Sequence, residues 1–310
     1  MIRIMDMYQK RKMRQKEKNN RQEETTKRAN INWYPGHMVK TKREIKEKID
    51  LIDVVLEVID GRIPYSSKNK EVDSLINNKQ RILIMTKIDL CDEKETLKWK
   101  QYYEEKGYKV VLTDLINNIN VKDIFKLTDN VMTDLNEKRR AKGLKPRRVR
   151  ALIIGVPNVG KSTLINRLVG KKATKVGNKP GITKSLEWIR VNDKLELLDT
   201  PGILWPRLDE GNVAYNLASM TAIKEEVLDV QDIAIYIINR MIDWYPSHMA
   251  ERYGVVSDDE LMDILDKIGK KRGVVSGGEV DYDRVYTIVF RDLRDGYLGK
   301  VTFDRVEDVI

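Results

Sequence analysis

Between residues 53 and 200 the chain alternates two hydropathy patterns. Short β-branched and aliphatic runs bounded by turn residues predict strands: "DVVLEVIDGRIP" (53–64), "RILIMTKIDL" (81–90), "YKVVLTDL" (108–115), "ALIIGV" (151–156), "LEWIRVN" (186–192) and "LELLDT" (195–200). The segments between them repeat apolar residues every three or four positions and predict helices: "EVDSLINN" (71–78), "KETLKWKQYYEEKG" (94–107), "VKDIFKLTDNVMTDLNEKRRAK" (121–142) and "KSTLINRLVG" (161–170). Another helix should follow the turn-like "NWYPGH" (32–37). Strands alternating with helices predict an α/β sandwich around a mostly parallel sheet.

Beyond residue 205 the strand pattern stops. "GNVAYNLASMTAIKEEV" (211–227), "DVQDIAIYIINRMIDWY" (229–245), "SDDELMDILDKIGKKRG" (257–273) and "DYDRVYTIVFRDLRDG" (281–296) all carry helical spacing. Ser257 and Glu260 have the spacing of a capping box for the third. The pattern divides the chain into a basic extension (1–30), an α/β domain (31–205) and a mainly helical domain (206–310).

Charge changes this picture. Residues 1–28 carry a net +6 and residues 138–150 a net +8, within a chain of net +10, so the remainder is about −4. Two concentrated basic runs point to a polyanion partner, with a solvated tail and linker as the alternative. Cys91 is the single cysteine, which excludes an internal disulfide and fits a reducing compartment, the cytoplasm. No apolar run reaches the roughly 18–20 residues that span a bilayer, and the first residues lack a signal-peptide pattern. No membrane partner is expected.

The chemistry concentrates in three motifs. "GVPNVGKS" (155–162) is a complete phosphate loop between a predicted strand and a predicted helix. Asn158, Val159, Gly160, Lys161, Ser162 and Thr163 form its phosphate-binding set. Glycines let backbone N–H groups converge on phosphate oxygens, Lys161 reaches the β/γ-phosphates and Ser162 ligates Mg²⁺. "LLDTPG" (197–202) places Asp199 to hold Mg²⁺ through water and the Gly202 N–H to meet a γ-phosphate. Thr183, between these motifs, occupies the place of a switch threonine that closes on Mg²⁺. "TKID" (86–89) follows a strand and selects guanine: the Asp89 carboxylate accepts from the base N1–H and exocyclic amine, a donor pair that adenine lacks. Lys87 packs its stem over the base, and Thr86 stands where asparagine is commoner.

The motif order is unusual. The base-reading motif comes first, "TDL" (113–115) follows in the slot of a second base loop through Thr113 and Asp114, and the phosphate loop, Thr183 and DTPG come last. This is a cyclic rotation of the small-GTPase order, with "KRRAKGLKPRRVR" (138–150) as the rejoining linker. The chain resembles the circularly permuted GTPases, and within them the RbgA (YlqF) ribosome-biogenesis GTPase family. The resemblance rests on "WYPGHMVKTKREI", "DGRIPYSSKN", "GVPNVGKSTLINRL", "DTPGILWP" and "IGKKRGVVSGGEVDYDR", and covers roughly residues 30–310. It implies a circularly permuted P-loop GTPase domain followed by a helical domain that contacts rRNA. It further implies GTP hydrolysis, stimulated by the particle, in late maturation of the 50S subunit.

Ile203 stands after DTPG, where many GTPases keep a water-orienting glutamine. The rotation puts the segment before the first strand on the switch side, which makes His37 the candidate for holding water; the resemblance also implies a catalytic role there. The alternative is a turn or RNA-contact residue. Asn158 resembles the asparagine with which some relatives coordinate a stimulatory K⁺, the alternative being a loop-shaping role. Lys161 and Thr183 complete the expected catalytic set. Two competing readings stay open: an RNA-binding scaffold that turns nucleotide over slowly, and a GTPase acting on tRNA.

Overall fold

The structure, a computed structural model, describes residues 36–69, 71–76, 79–170, 186–202, 204, 212–223 and 229–309. Its six-stranded sheet is built from β1 (Val54–Asp60), β2 (Gln80–Thr86), β3 (Lys109–Leu112), β4 (Val149–Ile154), β5 (Glu187–Arg190) and β6 (Leu195–Asp199) in the order β3-β2-β1-β4-β6-β5. All neighbours are parallel except β5, which pairs antiparallel with β6. The register sets Asp60 opposite Thr86, Glu57 opposite Ile154 and Leu152 opposite Leu198. The loops that leave β1, β2, β4 and β6 therefore share one edge of the sheet, where open α/β sheets bind ligands.

Strand alternation assigns the two faces. Val54, Leu56 and Val58 of β1 point toward Val121, Ile124 and Val131 of α4 (Val121–Ala141) and Leu164, Ile165 and Leu168 of α5 (Lys161–Val169). On the opposite face, Val55 meets Ile45 of α1 (Gly36–Lys48) and Val72, Leu75 and Ile76 of α2 (Glu71–Ile76). Ile59 on that face meets Trp99 and Tyr103 of α3 (Glu93–Glu105). Burying both faces explains the near-continuous apolar runs of β1 and β2.

The C-terminal region contains α6 (Val213–Ser219), α7 (Val230–Trp244), α8 (Pro246–Tyr253), α9 (Leu261–Lys271), a hairpin of β7 (Val275–Ser276) and β8 (Glu279–Val280), and α10 (Tyr282–Arg294). Two helix expectations need correction. Within 212–223, the described part of the expected helix 211–227, the helix runs from Val213 to Ser219 and ends where the chain turns at Thr221 with φ 61°. The Ser257/Glu260 capping box does not form: the Asp259 carboxylate accepts from the Val256 N–H and from Lys267, closing a turn that delays the helix to Leu261.

Two further features shape the site. Residues 298–309 return across the sheet domain, with the Val301 N–H donating to Leu90 O and the Phe303 N–H to Arg62 O. In the rejoining linker, Arg147 makes two bonds of 2.7 Å to the Asp53 carboxylate, and Arg150 holds Glu196 at 2.5 Å. Lys138, Arg140, Lys142 and Lys145 stay exposed.

Candidate guanine-nucleotide site

The phosphate loop forms because β4 ends against β1. A methyl group at Gly155 would lie 2.3 Å from the Val58 carbonyl oxygen, so a side chain here would push the loop off the sheet. Gly160 then caps α5 with a left-handed backbone, followed by buried Lys161 and half-buried Ser162 and Thr163. The Lys161 ammonium donates to Gly155 O at 2.9 Å and Val156 O at 2.8 Å. Burial lowers its pKa to about 8, against the opposing pull of the Asp199 carboxylate. Phosphate offers the ammonium charged acceptors, which bind more strongly than neutral carbonyls.

Asp199, 2% exposed, ends β6 beside this loop. The next residue, Thr200, donates its hydroxyl to Ile153 O at 2.8 Å and pins the DTPG segment to β4. A methyl group at Gly202 would lie 2.7 Å from the Pro157 nitrogen and Cα. The DTPG glycine and the phosphate loop are thus in direct backbone contact. Asn158, left-handed at φ 60°, donates its amide to Thr221 O at 2.7 Å and ties the loop to the turn after α6.

The base-reading segment meets the phosphate loop across 73 residues of sequence. The Thr86 hydroxyl, fully buried, donates to Val159 O at 2.6 Å and lies 3.0 Å from Ile59 O. Lys87 adopts a left-handed backbone at φ 60°, and its ammonium lies 2.8 Å from Asp60 Oδ2. Asp60 is also held by Arg62 through Nε at 3.0 Å and Nη2 at 2.8 Å. Burial opposes ionisation of Asp60, but Arg62 and Lys87 outweigh it and hold the carboxyl well below the usual range. Asp89, half-buried in the turn Ile88–Leu90, has its pKa raised by burial and by nearby Asp114.

Thr113 and Asp114 build the second loop with their side chains. The Thr113 hydroxyl donates to Ile119 O, and the Asp114 carboxylate accepts from the Ile116 and Asn117 N–H groups and the Asn117 amide. Arg167 on α5 grips this loop by donating to Leu115 O at 2.7 Å and Ile116 O at 2.8 Å. Asp60, Arg62 and Arg167 were not singled out from the sequence. A charged residue closing a buried strand, in "DGRIP", was the available signal for the first two. The backbone of His37 starts α1; its side chain, Thr183 and Ile203 lie outside the described residues.

A phosphate loop, a DTPG segment in contact with it and a TKID segment bonded to it, in rotated order, define a circularly permuted P-loop GTPase. Residues 150–275 match the family described as a 50S ribosome-binding GTPase, and residues 71–208 match the RsgA GTPase family, a span that keeps the rotated motif order. The chain is 43% identical to the ribosome biogenesis GTPase A of Priestia megaterium over 88% of this chain and 96% of that protein. It is 41% identical to that of Bacillus licheniformis, over 90% of this chain and 99% of the relative. The GDP-bound structure of YlqF from Thermotoga maritima superposes with a TM-score of 0.62 at 28% identity, over 86% of this chain and all of that one. The chain belongs to the ribosome biogenesis GTPase A family, and it binds guanine nucleotide and hydrolyses GTP.

Proposed function

We propose that this GTPase is an assembly factor for late maturation of the 50S ribosomal subunit. It binds the rRNA of a precursor particle in one nucleotide state and leaves after hydrolysis. The observation that carries this reading is the match to ribosome biogenesis GTPase A proteins along about nine-tenths of the chain. The sheet domain (31–205) turns GTP over, and the helical region (206–310) faces the particle. Basic side chains on the outer surface, including Lys142, Lys145, Lys270, Lys271 and Arg291, supply the phosphate contacts. No helix among the described residues is long and apolar enough to cross a membrane. We place the protein in the cytoplasm with its particle.

In the site, Thr86, Lys87 and Asp89 select the base, while Lys161 and the N–H groups of 158–163 hold the phosphates. The Ser162 hydroxyl and Asp199 carboxylate are hard oxygen donors that suit Mg²⁺, with Thr183 joining them from the switch. When bound, Mg²⁺ neutralises charge that develops on the β- and γ-phosphates. His37 positions the attacking water in place of the glutamine that Ile203 replaces. Asn158 holds its loop through Thr221, and a K⁺ requirement is tested by turnover in K⁺ against Na⁺. The deciding experiment is sedimentation with 45–50S particles, using a non-hydrolysable GTP analogue and GDP, alongside turnover with and without particles. Co-sedimentation favoured by the analogue, with particle-stimulated turnover, is expected. Equal binding in both states, or unstimulated turnover, would sink the reading.

A further inference from the structure

Asp60 is 2% and Arg62 3% exposed, an ion pair buried at the end of β1 with no place in the chemistry above. Three donors converge on the Asp60 carboxylate: the Arg62 N–H at 3.0 Å and guanidinium at 3.0 and 2.8 Å, and the Lys87 ammonium at 2.8 Å. A buried ion pair is costly to dehydrate and is weak evidence for stability alone. Here it meets the one residue of the base-reading loop whose backbone is left-handed, a conformation that crowds the Cβ of a non-glycine residue against the following carbonyl oxygen. The Leu90 N–H and the Cys91 thiol hold the Lys87 carbonyl at 2.9 and 3.1 Å, and the Asp60 carboxylate holds its side chain.

We propose that Asp60, braced by Arg62, is a positioning residue for guanine selection: it fixes the Lys87 ammonium and thereby the orientation in which Asp89 meets the base. The inference rests on the reading that Thr86–Asp89 recognises guanine. The register supports it, since Asp60 and Thr86 are paired across β1 and β2 and the Gly61 N–H donates to Thr86 O. The loop after β1 therefore moves with the first residue of the base-reading motif. Arg62 is itself fixed from behind, where its carbonyl accepts the Phe303 N–H at 2.7 Å. A loosely held Asp89 would still accept from one base donor, but would lose discrimination for the second.

The test measures affinity of the full chain for GDP and for IDP, which lacks the exocyclic amine, in Asp60→Asn, Lys87→Met and the double variant. Lys87→Met keeps the apolar stem and removes the ammonium. Each single change should weaken GDP about tenfold, the scale of one charge-assisted hydrogen bond, and lower the GDP/IDP ratio several-fold. The double variant should be no worse than the weaker single one, because both remove one interaction. Loss of folded protein would weaken GDP and IDP equally; equal weakening, or effects that multiply, would overturn the proposal. If Asp60→Asn does not fold, Lys87→Met decides alone, because it leaves the Asp60–Arg62 pair intact; an unchanged ratio there overturns it. Asp89→Asn is the separate control on base reading: if it keeps GDP affinity, the base-reading assignment fails, whatever Asp60 does.

Discussion

At the scale of single residues, contacts between backbones decide more than side-chain identity suggests. Thr86 stands in place of the commoner asparagine, with a shorter side chain to anchor the loop. In the fold its hydroxyl is fully buried and reaches Val159 O at 2.6 Å, so the shorter side chain still joins the base loop to the phosphate loop. Gly202 shows the converse, a position where any side chain is too large. A methyl group 2.7 Å from the Pro157 backbone must displace DTPG or the phosphate loop, with an overpacking cost of about 1–3 kcal/mol. If the Gly202 N–H meets the γ-phosphate as the motif order implies, Gly202→Ala should slow single-turnover GTP hydrolysis by about tenfold or more. GDP affinity should stay within about threefold, since GDP has no γ-phosphate for the segment to meet. Rapid-quench turnover and GDP titration check the two halves; equal loss in both would show that the glycine merely shapes the loop.

At the scale of elements, the rejoining linker divides its positive charge between two roles. Arg147 is a strut: two 2.7 Å bonds to Asp53, whose carboxylate also accepts the Arg150 N–H, fasten the linker beside the start of β1. Arg147→Ala should lower unfolding stability by about 1–2 kcal/mol, read by denaturant titration. Reversing exposed Lys142 and Lys145 to Glu should leave stability within about 0.5 kcal/mol while weakening particle binding and its salt dependence. A net charge of +8 could not reveal this partition, because the sequence gives no sign that Asp53 lies within reach, 94 residues away. What the sequence showed well was whatever has a local period: the alternation of strands and helices, the parallel sheet, and the motifs at strand ends. It showed poorly what depends on long-range partners. Arg167 lies in a helix read correctly, yet its grip on Leu115 and Ile116 appears only when α5 comes against the loop after β3. The capping box failed for a related reason, since Asp259, in the turn before α9, is held by Lys267 inside that helix, eight residues on.

At the scale of the whole molecule, the C-terminal segment joins parts that the motif order separates. Residues 298–309 carry no helical or strand period. Yet the Asp304 carboxylate accepts from the Ser66 N–H and hydroxyl and from the Asn216 amide, each at 2.7 Å. Ser66 follows β1, and Asn216 lies in α6, just beyond DTPG, so this carboxylate connects the base side of the sheet, the exit of the switch and the chain end. Burial raises the Asp304 pKa to about 6 despite those donors. The sign follows from linkage: the folded chain keeps a proton on Asp304 that the unfolded chain, with an ordinary carboxyl near 3.8, has released. The resulting stabilisation is complete below about pH 4, declines as pH rises through about 6, and is absent above. Asp60 works in the opposite direction, stabilising above its unfolded pKa and losing that contribution as pH falls, so the total pH profile would hide either one. Comparing the native chain with Asp304→Ala isolates the term. The substitution should cost about 2 kcal/mol more at pH 4.5 than at pH 7.5, measured by denaturant unfolding at both. A penalty independent of pH would mean that Asp304 stays ionised in the fold and acts only as an acceptor for Ser66 and Asn216. In that case the junction between switch exit and chain end would be held by hydrogen bonds to a permanent charge, and acid would loosen it instead of tightening it.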